Sequence, residues 1–493
     1  MRLVVAARPW TASTVVAARR YGLTYGALAA LAAARDPGGV AMVDDDGAMT
    51  NAELDRRADE LAASLPAGVR RVGVLCRNGR AFAVAVVAVS RAGADVVLLN
   101  SDLAGPEVDA VVESESVALV LVDGDDLPVP TSRVEVVDLR GQPAAEAAPR
   151  AKRSGTRRRR GRIVVLTSGT TGPARGAQLS RTRIDQAIPV TTLVHRVPWR
   201  RGAPMVLTTP LFHGFGLGFL AVGLALGLPV VVSRRLDIEA VAASVAHAPG
   251  CVLVGVPPVL SRVAAVGRAA PAAVVSGAGV LHPTVASRVM SAFGPVLFNL
   301  YGSSEEGWST LATPADLLAA PGTIGRPAAG IRIEVLDADG SRVAPGEVGH
   351  ICVSGRLRFA HYTGGARRRH LAGLSDSGDL GHRDPSGRLF VDGRADDMVV
   401  TGGENVFLGE VEDVLLRHPA VADVRVDAVP DEEYGVRLEA YAVPAADLDA
   451  DDLAESLLLH AAEHLARFKR PRRVHVVESL PQTASGKHSR PPR

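Results

Sequence analysis

Short apolar runs alternate with longer alanine-rich stretches through roughly the first 330 residues. Val72-Gly-Val-Leu75 predicts a strand, Ala81 to Ala92 a helix, and Asp95-Val-Val-Leu-Leu99 the next strand. Alternation of this kind predicts parallel sheets covered by helices. From Ile331 to Val391 the apolar positions recur at shorter spacing between turn pairs such as Asp339-Gly340, Pro345-Gly346 and Asp384-Pro-Ser-Gly387, which predicts a small β-rich subdomain. Beyond Gly393 the pattern changes again. Val411 to His418 and Asp452 to Phe468 read as helices, and Val424 to Val429 and Leu438 to Val443 as strands. The expected fold class is therefore α/β. A large N-terminal domain of stacked α/β sheets (1–393, its β-rich subdomain about 331–393) is followed by a small, mobile α+β C-terminal domain (394–493).

Gly214 to Ser233 carries no charge and nearly reaches the length of a membrane span. Its five glycines and Pro229 instead predict a buried helix breaking into a buried strand, so no membrane insertion is expected. Met1 to Ala18 is interrupted by Arg8-Pro9, which argues against a secretory signal. A hydrophobic content of 47% with 22% charged residues belongs to a soluble globular chain, and 493 residues allow more than one domain. The net charge of +2 gives no general attraction to nucleic acid or anionic lipid. Ala144 to Arg162, with the run Arg157 to Arg160, reads as an exposed connection; the run also suits a polyphosphate, but a solvated loop fits a near-neutral chain better. Cys76, Cys251 and Cys352 lie far apart without metal-ligand spacing, which points to a reducing, cytoplasmic address.

Chemistry enters with Leu166-Thr-Ser-Gly-Thr-Thr-Gly-Pro-Ala-Arg-Gly176, directly after the apolar run from Ile163. Gly169, Gly172 and Gly176 let the backbone bring its N–H groups close to an anion, and Thr167, Ser168, Thr170 and Thr171 add hydroxyl donors. An ordinary polar turn has the same composition. A Walker loop needs Gly-Lys followed by Ser or Thr, and the only Gly-Lys here, Gly486-Lys487, precedes His488.

Further motifs follow in chain order: Pro210-Leu-Phe-His-Gly-Phe-Gly216, Asn299-Leu-Tyr-Gly-Ser-Ser-Glu305, Ser377-Gly-Asp-Leu-Gly381, Gly393-Arg-Ala-Asp-Asp-Met398, Gly402-Gly-Glu-Asn-Val406 and Pro481-Gln-Thr-Ala-Ser-Gly-Lys487. With the Thr167 to Gly176 loop, they make the chain resemble the adenylate-forming superfamily of acyl-CoA synthetases, adenylation domains and luciferase-like enzymes, from about Thr50 onward. The resemblance implies ATP-dependent activation of a carboxylic acid to an acyl-adenylate and pyrophosphate, with Mg2+, followed by thioester formation with CoA. It places ATP on Thr167, Ser168, Gly169, Thr170, Thr171, Gly172 and Arg175, with Glu305 and Thr170 at the metal. Adenine would meet Tyr301 and the Gly277-Ala278-Gly279 turn, with Asn299, Gly302, Ser303 and Ser304 beside it, while Asp379 and Arg394 would take the ribose. An ionised carboxylate can accept from both vicinal hydroxyls.

The resemblance further assigns Lys487 as the mobile cation of adenylation, Asp396 as the hinge of a C-terminal rotation, and His213 to the acyl pocket. Amino-acid-activating relatives carry an aspartate at the pocket to pair the substrate ammonium; its absence here favours a fatty or aryl acid. Two positions depart from the pattern, Arg175 where lysine is usual and Leu408 where proline is usual. The acceptor could alternatively be the pantetheine of a carrier protein. Two other readings remain: a diazotase-like enzyme that activates nitrite for an aryl amine, and a non-catalytic nucleotide-binding module. No nucleic-acid partner is expected.

Overall fold

The computed structural model describes residues 21–22, 24–124, 126–131, 134–140, 160–167, 175–179, 188–267, 270–303, 306–355, 359–362, 369–395, 398–401, 404–431, 435–445 and 449–481. Two large sheets dominate it, one of fourteen strands and one of seven. In the larger, Leu297–Ser303, Ala273–Gly277, Val252–Gly255, Met205–Leu207, Val230–Val231 and Val40–Asp44 lie side by side in parallel. These strands are buried along most of their length, and they read as unbroken apolar runs for that reason. In the smaller sheet, Ile163–Thr167, Asp95–Leu98, Arg71–Leu75, Leu119–Val122 and Glu135–Asp138 are parallel in that spatial order.

One hydrophobic core spans both sheets through the helices between them. Helix Arg80–Ala92 is buried at nine of its positions, so its valines stay helical although their χ1 restriction disfavours it. Arg91, 2% exposed, lies within this core and donates to Gly26 O at 3.2 Å, Asp55 O at 2.8 Å and Asp59 Oδ1 at 3.0 Å. Helix Asn51–Ser64 starts from a capping box in which Glu53 N–H donates to Thr50 Oγ1 at 3.2 Å and Thr50 N–H to Glu53 Oε2 at 2.8 Å. The uncharged segment from Gly214 forms helix Gly214–Leu226, ends at Gly227 in the left-handed region (φ 69°), and is followed by strand Val230–Val231. No helix among the described residues is long and apolar enough to cross a membrane.

The β-rich part is Arg332–Leu336, Gly349–Ser354, Leu374–Arg383 and Leu389–Arg394, joined antiparallel. It does not form a separate sheet. Thr323–Pro327 pairs with both Gly307–Ala312 and Leu389–Arg394, which carries the hydrogen-bonded ladder from the parallel strands into the antiparallel ones. Its apolar face still has a core of its own around Ile333, Ile351 and Leu389.

Residues 399–474 build another core beneath a three-stranded sheet of Val421–Asp431, Gly435–Pro444 and Arg473–Val476, covered by helices Leu408–Leu416 and Ala450–His464. Leu408 is the first residue of its helix and 2% exposed. Proline is well accommodated at a helix's first position, and the leucine found here fills core space instead. Arg288, on helix Pro283–Phe293, joins this part to the rest: its guanidinium donates to Leu416 O at 3.2 Å, Val421 O at 3.0 Å and Ala422 O at 3.3 Å. The connection 141–159 and the expected hinge at Asp396 lie outside the described residues.

Candidate active site

The strands Ala273–Gly277 and Leu297–Ser303 set Ser276 opposite Asn299 and Gly277 opposite Leu300. Directly after Gly277, Ala278 takes a φ of 58°, a left-handed conformation rarely adopted by residues with a Cβ. A Cβ on Gly277 would lie 2.5 Å from Phe215 Cε2, so the room a glycine provides there is taken up by the Phe215 ring. Phe215 stands in the first turn of helix Gly214–Leu226, two residues after His213, and packs edge-on to Phe219 at a centroid distance of 5.0 Å. His213 is the residue before that helix, and Leu217 N–H donates to its carbonyl at 2.9 Å. The strand pairing and this ring contact bring His213, Gly277 and Tyr301 into one neighbourhood.

Tyr301 lies on Leu297–Ser303, whereas Asp379 and Arg394 come from the antiparallel strands and face each other as a cross-strand pair. Tyr301 Oη donates to Asp379 Oδ2 at 2.5 Å, and Arg394 Nη1 to Asp379 Oδ1 at 3.3 Å. Burial, reinforced by the Asp379 carboxylate, holds the Tyr301 phenol well above its ordinary pKa, so it remains a donor. Asp379 is itself fixed from behind: its N–H donates to Ser377 Oγ at 3.1 Å, and Ser377 Oγ donates to Ile351 O at 2.8 Å. Each carboxylate oxygen thus has one partner here and keeps acceptor capacity for a hydroxyl. That arrangement fits a vicinal diol such as a ribose.

Gly302 and Ser303 form the tip of a hairpin. A Cβ on Gly302 would meet Gly307 O at 2.1 Å, and Ser303 Oγ accepts from Glu306 N–H at 3.1 Å. Asn299 is buried at 5% exposure, and a Cβ on Gly279 would touch Pro257 Cδ at 3.2 Å. The glycine-rich loop is also a hairpin connection: Thr167 pairs with Arg175 as Ile163–Thr167 and Arg175–Leu179 run antiparallel. No helix begins at this loop, in contrast to a Walker loop, so any anion held there meets loop amides and hydroxyls without a helix dipole.

Ser168, Gly169, Thr170, Thr171, Gly172, Ser304, Glu305, Asp396 and Lys487 lie outside the described residues. Among the described residues no three His, Cys, Asp or Glu side chains cluster as a metal site. The carboxylate and hydroxyl expected at the metal, Glu305 and Thr170, are oxygen donors suited to a hard cation such as Mg2+. Two residues with a clear place at the site escaped the motif reading, Phe215 and Asn78. The first sits inside the Pro210 to Gly216 motif, where only the histidine drew notice. The second follows the end of strand Arg71–Leu75 with no motif to mark it.

The family model of AMP-binding enzymes matches residues 30–363, and that of the AMP-binding enzyme C-terminal domain matches 410–487. The chain belongs to the AMP-binding enzymes, the adenylate-forming superfamily that its motifs resemble. A 2-succinylbenzoate–CoA ligase of Bacillus licheniformis is 28% identical over 92% of this chain and 95% of that protein. A sulfoacetate–CoA ligase of Cupriavidus necator is 32% identical over 66% of this chain and 65% of its own length. Among solved structures, the o-succinylbenzoate CoA synthetase of Bacillus subtilis in complex with its acyl-adenylate intermediate superimposes with a TM-score of 0.79 at 26% identity, covering 94% of this chain and 96% of that one.

Proposed function

We propose that this protein is an ATP-dependent acid–thiol ligase that converts a fatty or aryl carboxylic acid to its acyl-adenylate and then to a CoA thioester. The observation that carries the reading is the Tyr301–Asp379–Arg394 cluster, built from three strands at the end of the sheet that also presents Gly277 to the Phe215 ring. A ribose-binding carboxylate thereby adjoins an apolar, aromatic wall. The wall of Phe215 and Phe219 suits an apolar acyl group, and His213 stands at its edge where an ammonium-binding carboxylate would be needed for an amino acid.

In the first step an acid oxygen attacks the α-phosphorus of ATP and the bond to the β-phosphate oxygen breaks, releasing pyrophosphate. Negative charge spreads over the phosphoryl oxygens, and groups already oriented toward it lower the barrier. Asp379 holds the ribose end, Tyr301 and Arg394 keep Asp379 in place, the Thr167 to Arg175 loop wraps the phosphates, and Lys487 contributes the cation. Bound Mg2+, held through Glu305 and Thr170, neutralises phosphate charge. Arg175 meets phosphate as a planar five-donor fork where an ammonium is usual. In the second step the CoA sulfur attacks the acyl carbon and AMP leaves.

Pyrophosphate release measured across fatty, aryl and amino acids, with and without CoA, tests this directly. A CoA-dependent mass gain on an apolar acid is the expected result. Transfer only to a phosphopantetheinylated carrier protein would replace CoA as acceptor, a reading supported by a fatty acid–acyl-carrier-protein ligase of Streptomyces coeruleorubidus, 26% identical over 92% of this chain and 93% of that protein. Turnover of nitrite with an aryl amine, or no turnover of any acid, would overturn the ligase reading.

A further inference from the structure

The loop that leads into His213 has a weakness readable from its sequence. Strand Met205–Leu207 ends, Thr208 N–H donates to Val254 O at 3.0 Å, and the chain then crosses Thr209-Pro210-Leu211-Phe212 before helix Gly214–Leu226 begins. Pro210 brings no N–H to this crossing, and Leu211 is fully buried, so its amide must find an acceptor without water.

Asn78, from the other large sheet, supplies it. Its Oδ1 accepts from Leu211 N–H at 2.7 Å while its Nδ2 donates to Thr209 O at 3.2 Å, so one amide side chain satisfies both sides of Pro210. Asn78 is held on both flanks: Arg77 N–H donates to Asp123 Oδ1 at 3.1 Å, and Arg80 N–H to Asp44 Oδ2 at 2.7 Å. Its loop follows the central strand Arg71–Leu75, between Asp95–Leu98 on one side and Leu119–Val122 on the other, the place where strand order reverses. The clasped loop has no slack toward the pocket. His213 N–H donates back to Pro210 O at 3.2 Å, and a Cβ on Gly216 would lie 2.2 Å from the same carbonyl.

From this geometry we infer that Asn78 is a positioning residue for the acid side of the active site: it fixes the Thr209–Phe212 loop and through it His213 and Phe215. The inference rests on the ligase reading for its effect on turnover, but not for its effect on the loop. Tyr301, Asp379 and Arg394 stand on other strands and receive nothing from Asn78, so the acid and nucleotide ends of the site should respond differently to its loss.

The test compares Asn78→Ala with Val89→Ala, a truncation within the buried face of helix Arg80–Ala92 that touches neither end of the site. Backbone hydrogen exchange should accelerate at 209–213 in the first variant and not in the second, at matched loss of thermal stability. Removal of the acceptor for a buried amide should raise the KM for the best acid about tenfold, with the KM for ATP changed less than about twofold. Unchanged exchange at 209–213, or equal rises in both KM values, overturns the inference. Absence of turnover by the wild-type chain would sink the ligase reading alone, because the exchange measurement still decides whether Asn78 holds the loop.

Discussion

Tyr301→Phe removes one oxygen and leaves the ring, so it isolates the bond to Asp379 from any stacking the ring provides. The lost bond is a charge-assisted one, 2.5 Å long, to a carboxylate that is 9% exposed. Such a bond contributes about 1.5–3 kcal/mol. Arg394 cannot replace it, since it holds the other oxygen at 3.3 Å and its side chain is 46% exposed, where solvent screens the pair. If Asp379 must be oriented to bind ribose, the loss should appear in nucleotide affinity. At about 1.4 kcal/mol per factor of ten, that is a rise of roughly ten- to hundredfold in the KM for ATP. The assay is pyrophosphate release at saturating acid over a range of ATP, with urea unfolding of the same variant as control. An unchanged KM for ATP beside a full loss of stability would refute the reasoning, because the cluster would then be only structural.

Other expectations follow from the same geometry. Gly277→Ala places a methyl 2.5 Å from Phe215 Cε2, while Phe219 stands behind the ring; overpacking should cost about 1–3 kcal/mol in urea unfolding and reduce acid turnover. Full stability would mean that Phe215 can retreat. Lys487→Ala should lower the rate of pyrophosphate release by roughly a hundredfold or more while ATP still protects the protein thermally, and an undiminished rate would assign the adenylation charge elsewhere. His418 accepts Ala420 N–H at Nδ1 (3.3 Å) and so carries its proton on Nε2, 3.0 Å from Ser456 Oγ. Burial, with His460 adding to it, lowers its pKa from the ordinary 6.5. The unfolded chain therefore binds this proton more readily, and stability should fall as pH drops below 6.5 toward the folded value. Denaturation midpoints at pH 7.5 and 5.5 should differ less in His418→Asn than in wild type, and equal slopes would refute the assignment.

The order of strands and helices, the chemistry-bearing motifs and the family were legible in the chain. Hydrophobic period, glycine and proline punctuation and motif spacing are local properties, and a residue's immediate neighbours set its backbone preferences. Helix Arg80–Ala92 and strands Arg71–Leu75 and Asp95–Leu98 fall within a few residues of where the apolar pattern put them. Tertiary structure decided what depends on residues far apart in sequence. It merged the β-rich part into the parallel sheet, made the glycine-rich loop a hairpin connection, filled the space beside Gly277 with Phe215, and set Asn78 against a backbone more than a hundred positions away. A buried amide accepts whichever partner packing brings within reach. The need of Leu211 for an acceptor could be stated from sequence alone, but only the folded chain could name Asn78 as the residue that meets it.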